Sequence, residues 1–524
     1  MVGLALTVSA GVLAPPGASA ASQKYGYPTI GAKAALANPN CDAEAERVKQ
    51  PFPPQKYAGI VGGFPCVTAF PNSADNGGAT SPGVAGDTVK VVYFNSTTDQ
   101  GGMNAADSFR DWVDTYASLH TETYGRKIEV TDLRASGTSE AEQRADAIRV
   151  AQLKPFIVVD GPGSGGVFFD ADLAKRKIIS FGYSVTPESG EKQQPYRYGL
   201  NPDADALQAN VASVAVPLVG QNAKWAGDDL KSRTRKFAVV APDSIGGGKV
   251  FVEQFKKVGG QATAFEYPYT PSSFVSSPDS YAEQIPTIIS RMRSAGVTTV
   301  VTFGDLNFLP VITKTATAQD FFPEWLMTGF QYQDIDAFSR ATSPLSSTKV
   351  DQTQWAHAFG MGTLGPDTSA SSRLKAWYEY YWGTDRPNFG LGRESGPVSA
   401  IYDGIALAGP DLTPQRFQTA LFKDPYNFYG KKYLPWTSYQ QGGLTGRLLW
   451  WDPTAQGASN AVGLPGTGKY QYLFDADAFL PGRFPKKLPP YFDPNKSVLV
   501  LNAEIVGPLY PCDGCPSQTG QPAA

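Results

Sequence analysis

Short apolar runs alternate along the chain with longer stretches whose apolar residues recur at helical spacing. The alternation begins after Asp87, where Thr88–Phe94 forms an apolar run, Asn95–Gly102 a polar loop, and Met103–Leu119 a stretch with apolar residues at helical intervals. A short apolar run bounded by turn residues is typical of a buried strand, and the longer period is typical of an amphipathic helix. The alternation therefore predicts βα units and parallel sheets.

The βα pattern continues to residue 328 in two successive series. The first series adds strands at Gly125–Val130, Phe156–Val159 and Lys177–Phe181, and helices at Ser139–Gln152 and after Gly166. The second predicts helices at Ala204–Val219, Val250–Val258, Ile285–Ala295 and Leu309–Ala316, and strands at Phe237–Val240, Ala262–Tyr267, Thr298–Thr302 and Trp325–Thr328. Two such series predict two doubly wound, Rossmann-like α/β lobes.

After Gln331 the pattern becomes helix-rich, and from about residue 440 it consists of strands among Pro-containing coil. The predicted helices are Leu374–Trp382, Val398–Leu407 and Pro414–Leu421, and the predicted strands are Leu444–Asp452, Tyr470–Phe474 and Ser497–Ile505. We therefore expect lobe one over residues 87–200 and 332–440, and lobe two over 201–331 and 441–480, with Tyr196–Asp203 as a crossover. Residues 21–86 and 481–524 are predicted to be irregular extensions.

Residues 1–20 contain an apolar segment that ends in Ala18-Ser19-Ala20, which is typical of a secretory signal peptide and its cleavage site. Pro15 and Pro16 disfavour the alternative, a buried N-terminal helix. No later run reaches about 18 uninterrupted apolar residues, so no membrane span is expected. The sequence predicts an exported protein, located in the periplasm or at the cell surface.

Charge and cysteine content narrow the class of protein further. A formal net charge of -3 gives no support for a nucleic-acid partner. An even number of cysteines in an exported chain predicts disulfides, with Cys41–Cys66 and Cys512–Cys515 favoured and cross-pairing between the termini left open. Zinc binding by these four residues is disfavoured, because Cys66 and Cys512 lie so far apart in the chain.

Two Gly-containing polar loops, Asp160–Gly166 and Gly182–Glu188, each follow a predicted strand. Ligands of open parallel sheets bind beyond the carboxyl ends of the strands, where both loops are expected to lie. The helix that starts after Gly166 offers free N–H groups suited to a carboxylate or phosphate. Ser164 is therefore a candidate ligand contact, with a simple tight turn as the alternative.

Catalytic and cofactor motifs are incomplete, and no catalytic residue, cofactor or metal is predicted. Ser164 is not the serine of a nucleophile elbow, because Pro162 occupies a position that needs glycine. The only histidines, His120 and His357, do not follow strands in polar, Gly-flanked loops. Gly463–Lys469 resembles a phosphate-binding loop but lacks the following Ser or Thr, so a surface turn is expected.

The order of these stretches resembles the type I periplasmic solute-binding proteins, in particular the branched-chain amino-acid-binding (Leu/Ile/Val) group of ABC-importer receptors. The resemblance covers most of the chain, from about residue 87 to about residue 480, and implies two lobes that close on a ligand, without catalysis. The stretches that carry it are Gly86–Val92, Tyr124–Val130, Ile157–Ser164, Ile178–Glu188, Phe237–Asp243 and Tyr402–Gly404.

The resemblance also implies ligand-binding positions. In lobe two the family places an aromatic cap and an acidic group for the ligand ammonium, and this chain has Ile245 and Phe330-Gln331 there, which puts an α-amino-acid ligand in question. Asp305 is an alternative source of negative charge, although an Asp after a strand often caps the next helix. The predicted ligand-binding residues are Gly163, Ser164, Gly165, Tyr183, Ser184, Ile245, Asp305, Asn307, Phe330 and Gln331, with Tyr183 equally interpretable as a core aromatic.

The function expected from these observations is that of an extracytoplasmic receptor that delivers a small polar or carboxylated ligand, amino-acid-like or amide-like, to an ABC permease in the membrane. Two alternatives remain open at this point. One is a secreted α/β hydrolase, and the other is a surface sensor or scaffold that feeds no transporter.

Overall fold

The structure, a computed structural model, forms two α/β lobes. It describes residues 70, 74–96, 105–118, 122–161, 165–182, 187–200, 204–269, 271–272, 275–340, 349–363, 395–423, 434–437, 440–442, 446–457, 466–476, 479 and 482–498. The predicted helix Leu374–Trp382, His120 and the four cysteines lie outside these residues.

The strands and helices follow the βα alternation of the sequence. The strands are β1 Thr88–Asn95, β2 Lys127–Arg134, β3 Ile157–Asp160, β4 Ile179–Gly182, β5 Arg197–Gly199, β6 Phe237–Pro242, β7 Ala262–Tyr267, β8 Pro271–Ser272, β9 Val275–Ser276, β10 Thr299–Thr302, β11 Glu324–Met327, β12 Ala358–Gly362, β13 Leu434–Thr437, β14 Gln440–Gly442, β15 Arg447–Gly457, β16 Gly466–Leu473 and β17 Ser497–Val498. The helices are α1 Ala105–Ser118, α2 Glu140–Gln152, α3 Val167–Lys175, α4 Pro187–Lys192, α5 Ala204–Ala215, α6 Lys249–Lys257, α7 Ile285–Ser294, α8 Phe308–Ala318, α9 Asp336–Arg340, α10 Gln352–Trp355, α11 Ser395–Ala408 and α12 Pro414–Lys423.

Each lobe contains one large sheet. Lobe one has a seven-stranded sheet in the order β13-β14-β5-β4-β3-β1-β2, and lobe two an eight-stranded sheet in the order β17-β16-β15-β12-β11-β10-β6-β7. The strands from β5 to β2 are parallel, as are those from β12 to β7, while β15, β16 and β17 add antiparallel pairs at one edge of the second sheet. Both parallel parts have the doubly wound order 2-1-3-4-5, so each sheet has a switch point, between β1 and β3 in lobe one and between β6 and β10 in lobe two.

The sequence pattern produces these sheets because both faces of the central strands are covered. All residues of β6 and nearly all of β1 are buried, as expected when helices pack on both sides of a parallel sheet. Helix α1 covers one face of the first sheet with Phe109, Trp112 and Tyr116. Helix α2 begins with the capping box expected from the sequence, in which Ser139 and Glu142 satisfy each other's backbone N–H groups.

In the order of the described elements, the chain passes between the lobes three times, from β5 to α5, from β12 to α11 and from β14 to β15. The strands β5, β12 and β14 all end at the carboxyl edge of their sheet. Strand β15 is antiparallel to β12 and begins opposite its end, with Arg447 paired to Gly362. All three passages therefore connect the carboxyl edges of the two sheets.

The sheet pairing corrects three of the expected boundaries. Residues 358–362 form β12 in the second sheet, so the described residues 349–363 do not belong to lobe one as expected. Residues 482–498 are not a separate extension: β17 pairs with β16, and Tyr491 is buried in the core of lobe two. Arg197–Gly199 forms strand β5 of the first sheet, and the crossover begins only after it. Local pattern alone does not show which sheet a short strand joins.

The stretch Gly463–Lys469, which resembles a phosphate-binding loop, was expected to form a surface turn. The structure describes its residues 466–469 and shows a strand there. Gly466–Lys469 begins strand β16 and pairs with β15. The Lys469 ammonium is buried and lies 3.1 Å from the Asp336 carboxylate. Gly466 and Gly468 belong to strand β16 rather than to a surface turn, and Lys469 has an internal partner.

Irregular chain at the N-terminal side is held against lobe one. Residues 74–86 contain no helix or strand, and Thr80 donates a hydrogen bond of 2.8 Å to the carbonyl of Leu412. Gly83 is in the left-handed region (φ 82°), and a Cβ there would lie 2.1 Å from the Phe156 backbone nitrogen. Only glycine allows this close backbone approach.

Candidate functional site

The predicted ligand-binding residues that the structure describes lie at the carboxyl edges of the two sheets. Gly165 follows β3 at the lobe-one switch point, and Ile245, Asp305 and Asn307 follow β6 and β10 at the lobe-two switch point. Phe330 and Gln331 follow β11, the next strand along. Gly163, Ser164, Tyr183 and Ser184 lie outside the described residues, so their roles stay predictions.

In lobe one, the start of helix α3 already has an acidic partner. Asp160, the last residue of β3, accepts a hydrogen bond of 2.7 Å from the Gly165 N–H, and Gln143 accepts one of 3.2 Å from the Phe168 N–H. The sequence predicted free N–H groups here for a ligand carboxylate. Within the helix this expectation is corrected for the Phe168 N–H, because the Gln143 side chain accepts from it.

A buried ion pair lies behind this turn. Arg197, at the start of β5, contacts Asp170 of α3 through two nitrogen–oxygen pairs, at 2.6 and 2.5 Å, and also donates to the Ser180 hydroxyl at 3.2 Å. Its guanidinium passes beneath Gly182, where a Cβ would lie 2.5 Å from Nη2. Burial, opposed by Arg197 and reinforced by the Asp160 carboxylate, raises the pKa of Asp170 to about 7.

In lobe two, the loop after β6 is shaped by three left-handed glycines, Gly246, Gly247 and Gly248, with φ of 75°, 62° and 81°. Gln208 of α5 fixes this loop, since its amide donates to the Ile245 carbonyl at 3.1 Å and accepts from the Phe251 N–H at 3.1 Å. The Ile245 side chain is half-buried against the apolar core of the lobe. It follows β6 and lacks the aromatic ring that the resemblance implies for the cap, so its role in ligand binding stays a prediction.

Asp305 serves mainly as a helix cap. Its carboxylate accepts hydrogen bonds from the N–H groups of Asn307 and Phe308, at 3.0 and 2.9 Å, and the residue is fully buried. This arrangement matches the capping alternative for Asp305. Asp305 also acts at a distance: burial and its charge together raise the pKa of the half-buried Tyr269 to about 12.

The loop after β11 presents Phe330 and Gln331, both half-buried. Gln331 has a left-handed backbone (φ 46°), and so does Gly329 before it (φ 72°). Gln333 anchors the loop, because its amide donates to the carbonyls of Thr302 and Gly304, at 2.9 and 2.8 Å. Gln333 thereby links the carboxyl ends of β10 and β11, and these bonds fix the position of the loop that contains Gln331.

Sequence reasoning missed Asn95, Asp160 and the Asp170–Arg197 pair. Asn95 ends β1 at the switch point, where its amide nitrogen is buried and has no hydrogen-bond partner among the described residues. A polar residue that ends an apolar strand is the signal that would have identified Asn95 and Asp160. An arginine within a short, otherwise apolar strand is the signal for a buried acidic partner.

The described carboxyl edges present amide, carboxylate and backbone groups, such as those of Gln331, Asp160 and Gly165, and no histidine lies among them. His357 lies at the opposite, amino edge of the second sheet, where its Nδ1 contacts the Trp225 carbonyl oxygen at 2.5 Å. Among the described residues, no group of three or more His, Cys, Asp or Glu side chains is arranged to hold a metal ion. The same part of the chain contains no helix that is long and apolar enough to cross a membrane.

No family model and no curated protein matches the sequence. Among solved structures, the chain is similar to a fatty acid ABC transporter substrate-binding protein from Thermomonospora curvata, with a TM-score of 0.50, 14% identity, and coverage of 76% of this chain and 94% of that chain. A leucine-, isoleucine-, valine-, threonine- and alanine-binding protein from Brucella ovis in a closed conformation gives a TM-score of 0.49 and 10% identity, covering 73% and 95%. An ABC transporter solute-binding protein from R. palustris in complex with 4-hydroxybenzoate gives 0.48 and 14%, covering 76% and 98%.

The likeness to the Thermomonospora curvata structure and the two doubly wound sheets show that the chain has the two-lobed fold of type I periplasmic binding proteins. The fold expected from the order of βα units is therefore confirmed. At this identity the likeness shows the fold and does not extend to the ligand.

Proposed function

We propose that the chain is an extracytoplasmic solute-binding receptor that holds a small polar molecule between its lobes and delivers it to an ABC importer. The observation that carries the proposal is the connection of the two carboxyl edges by all three passages of the chain. Ligands of doubly wound sheets bind at this edge, next to the switch point. A molecule held there contacts both lobes, and its binding favours a closed arrangement of the pair.

The chemistry of the edges supports binding rather than turnover. The polar groups on the described lobe-two edge are held in place by the protein itself, as Gln208 holds the Ile245 loop and Gln333 the Gln331 loop. Fixed hydrogen-bonding groups give a ligand orientation and selectivity. A receptor therefore needs no catalytic residue at these edges. The hydrolase alternative gains no support from His357, because this histidine lies at the amino edge of the second sheet, away from the proposed ligand position.

Delivery to a permease is the remaining part of the proposal, with a surface sensor as its alternative. A receptor that feeds an importer binds the permease most tightly in its ligand-bound form. Co-purification of a membrane permease with the ligand-bound protein is the result expected for transport, and ligand binding without any such partner is the result expected for a sensor.

The test of the receptor proposal is a thermal-unfolding screen of the purified protein against amino acids, amides, amines, polyols, sugars and small carboxylic acids. A ligand at a hundredfold excess over its Kd stabilises the folded state by about 2.7 kcal/mol, which raises the melting temperature visibly. We expect at least one of these classes to raise it. A melting temperature unchanged by the entire panel would contradict the proposal.

A matched pair of variants locates the binding. Gln331→Gly removes a side chain at the carboxyl edge and relieves its left-handed backbone, so we expect the protein to fold but to lose the ligand-induced shift. Asp320→Gly is the control, because Asp320 is also left-handed (φ 50°) but lies between α8 and β11 at the amino edge. Equal ligand shifts in both variants would place the binding outside the proposed cleft.

A further inference from the structure

Two apolar side chains on the carboxyl edge of lobe two are accessible to solvent beside the switch point. Ile245 follows β6 and Phe330 follows β11, and both are half-buried. Both pack against the core on the sheet face that α5 and α6 cover. Phe303, which follows the intervening strand β10 and is fully buried, contacts Phe330 edge to face with ring centroids 6.1 Å apart. We call Ile245 and Phe330 the apolar platform of lobe two.

Gln331 places a neutral polar group next to this platform. Its side chain is half-buried, and it makes no hydrogen bond with any residue that the structure describes. Its backbone is left-handed (φ 46°), which is unfavourable for a residue with a side chain and recurs at ligand contacts. An amide offers both donor and acceptor atoms and carries no charge. It therefore matches an uncharged hydroxyl or amide group of a ligand.

Two acidic side chains in the loops around Gln331 are turned into the protein. Asp305 is fully buried, and its carboxylate accepts hydrogen bonds from two backbone N–H groups at the start of α8, at 3.0 and 2.9 Å. Asp334 is 4% exposed and faces β12, since a Cβ on Gly362 would lie 2.6 Å from Asp334 Oδ2. Both carboxylates therefore serve the interior of the lobe.

Two exposed carboxylates of this lobe lie toward the opposite side of the sheet. Glu266 belongs to β7, and Asp243 is directed toward β7 because it accepts a hydrogen bond of 2.9 Å from the Tyr269 N–H. Strand β7 is three strands away from β11, which corresponds to about 14 Å at ordinary strand spacing. Exposed charges are largely screened over such a distance. An ammonium next to Gln331 would lose its water without gaining a carboxylate from the described part of this lobe.

We propose that the lobe-two side of the cleft binds an uncharged, amphipathic part of the ligand, with a hydrocarbon or aromatic body on Ile245 and Phe330 and a neutral hydroxyl or amide group at Gln331, and that it discriminates against an ammonium there. This inference rests on the proposed function, because it names the ligand class of the same cleft. Burial of apolar surface is favourable, whereas burial of a charge without an ionised partner is strongly unfavourable.

The experiment compares three compounds that differ at one carbon atom, which carries a hydrogen, a hydroxyl or an ammonium. Isocaproic acid, leucic acid and leucine form such a series, and the frame is changed to match whichever one the ligand screen identifies. Isothermal titration calorimetry measures the affinity of each compound for the wild-type protein. We expect the hydrogen and hydroxyl forms to bind, and the ammonium form to bind at least about tenfold more weakly because it lacks an ionised partner.

Gln331→Glu keeps the length of the side chain and adds a carboxylate beside the platform. We expect the ammonium form to gain affinity by about tenfold or more relative to the hydroxyl form, since it then has an ionised partner. Gln261→Glu is the control, because it adds the same charge at an exposed position of the same lobe, directly before β7 at the amino edge. We expect the control to leave the ratio of the two affinities unchanged.

A second pair of variants tests the platform itself. Ile245→Ala removes apolar surface from the platform, and we expect the affinity for the hydrogen form to fall about fourfold or more, as the loss of one buried methylene contact requires. Val258→Ala is the control, because Val258 is also an apolar side chain of lobe two, 45% exposed, but lies between α6 and β7 at the amino edge. We expect this variant to bind like the wild-type protein.

The results that would overturn the inference differ from those that would overturn the receptor proposal. If the wild-type protein binds the ammonium form as tightly as the hydroxyl form, or if Gln331→Glu leaves their ratio unchanged, lobe two does not select against an ammonium. If Ile245→Ala binds the hydrogen form as well as the wild-type protein does, the platform does not hold the ligand body. The receptor proposal stands in each of these cases. If no frame in the screen yields a ligand, the receptor proposal fails and this inference fails with it.

Discussion

Arg197 shows how a single residue determines the interior of lobe one. A guanidinium buried in a strand is tolerated only with a well-placed acceptor, and Asp170 provides two oxygens for it. Removing one partner of such a pair leaves an uncompensated charge and costs about 3–5 kcal/mol. The pair therefore constrains α3, β4 and β5, which together carry the lobe-one edge of the cleft.

The raised pKa of Asp170 predicts a pH dependence of stability. Because the folded state holds the proton more tightly than an unfolded Asp with a pKa near 3.8, this residue stabilises the fold below about pH 4, and that contribution is lost as the pH rises toward about 7. We expect the wild-type unfolding free energy to fall across this range relative to that of Asp170→Asn.

Denaturant unfolding of both proteins at several pH values measures the effect. The informative quantity is the difference in pH slope, because Asp170→Asn also lowers the overall stability by leaving Arg197 without its charged partner. Parallel pH profiles for the two proteins would contradict the assignment.

For individual residues, the sequence predicted where a side chain lies in the fold better than it predicted what that side chain contacts. Ile245 and Gln331 lie at the carboxyl edge as expected, because strand ends are visible in the apolar pattern. For Asp305 the sequence left two alternatives, a ligand contact and a helix cap. Its buried contacts with the N–H groups of Asn307 and Phe308 match the helix cap. The contact between Asp160 and Gly165 could not be predicted, since it depends on how the turn folds back on itself.

At the scale of elements, the periodicity predicted most strands and helices of the parallel sheets because a buried strand and an amphipathic helix differ clearly in their apolar spacing. It failed where membership in a sheet depends on pairing. Residues 358–362 were expected in the helix-rich part of lobe one, and residues 497–498 in a separate extension, but both form strands of the second sheet. Pairing partners distant in sequence are chosen by tertiary packing, which the local pattern does not contain.

The junction between β11 and β12 gives a prediction at this scale. Gly329 is left-handed (φ 72°), and a Cβ there would lie 2.7 Å from the backbone nitrogen of Thr363. Gly296 has the same conformation (φ 69°) with open space around it. We expect Gly296→Ala to cost roughly 1–2 kcal/mol from the left-handed backbone alone, and Gly329→Ala to cost clearly more because the backbones must separate.

Denaturant midpoints of the two variants provide the comparison. Gly329→Ala is also expected to weaken ligand binding, since Gln331 lies only two residues after it, whereas Gly296→Ala lies at the amino edge before β10 and leaves binding unchanged. Equal losses of stability in the two variants would show that the junction has room for a side chain.

At the scale of the whole molecule, the arrangement of the two lobes follows from the three passages between the carboxyl edges. The parallel parts of the two sheets share their strand order, so the switch points occupy equivalent places in both lobes. A cleft built this way brings the Asp160 turn of lobe one and the Ile245 and Gln331 loops of lobe two to the same connected edge. We expect a ligand that contacts both sides to stabilise the closed arrangement.

The most direct test of this account is small-angle X-ray scattering of the protein with and without a saturating ligand from the screen, with Gln331→Gly measured in parallel. Closure of two lobes on a ligand makes the molecule more compact. We predict that the radius of gyration of the wild-type protein falls when the ligand is added and that the variant shows no change at the same concentration. An unchanged radius of gyration in a wild-type protein shown by calorimetry to be saturated would contradict closure of the lobes around a solute.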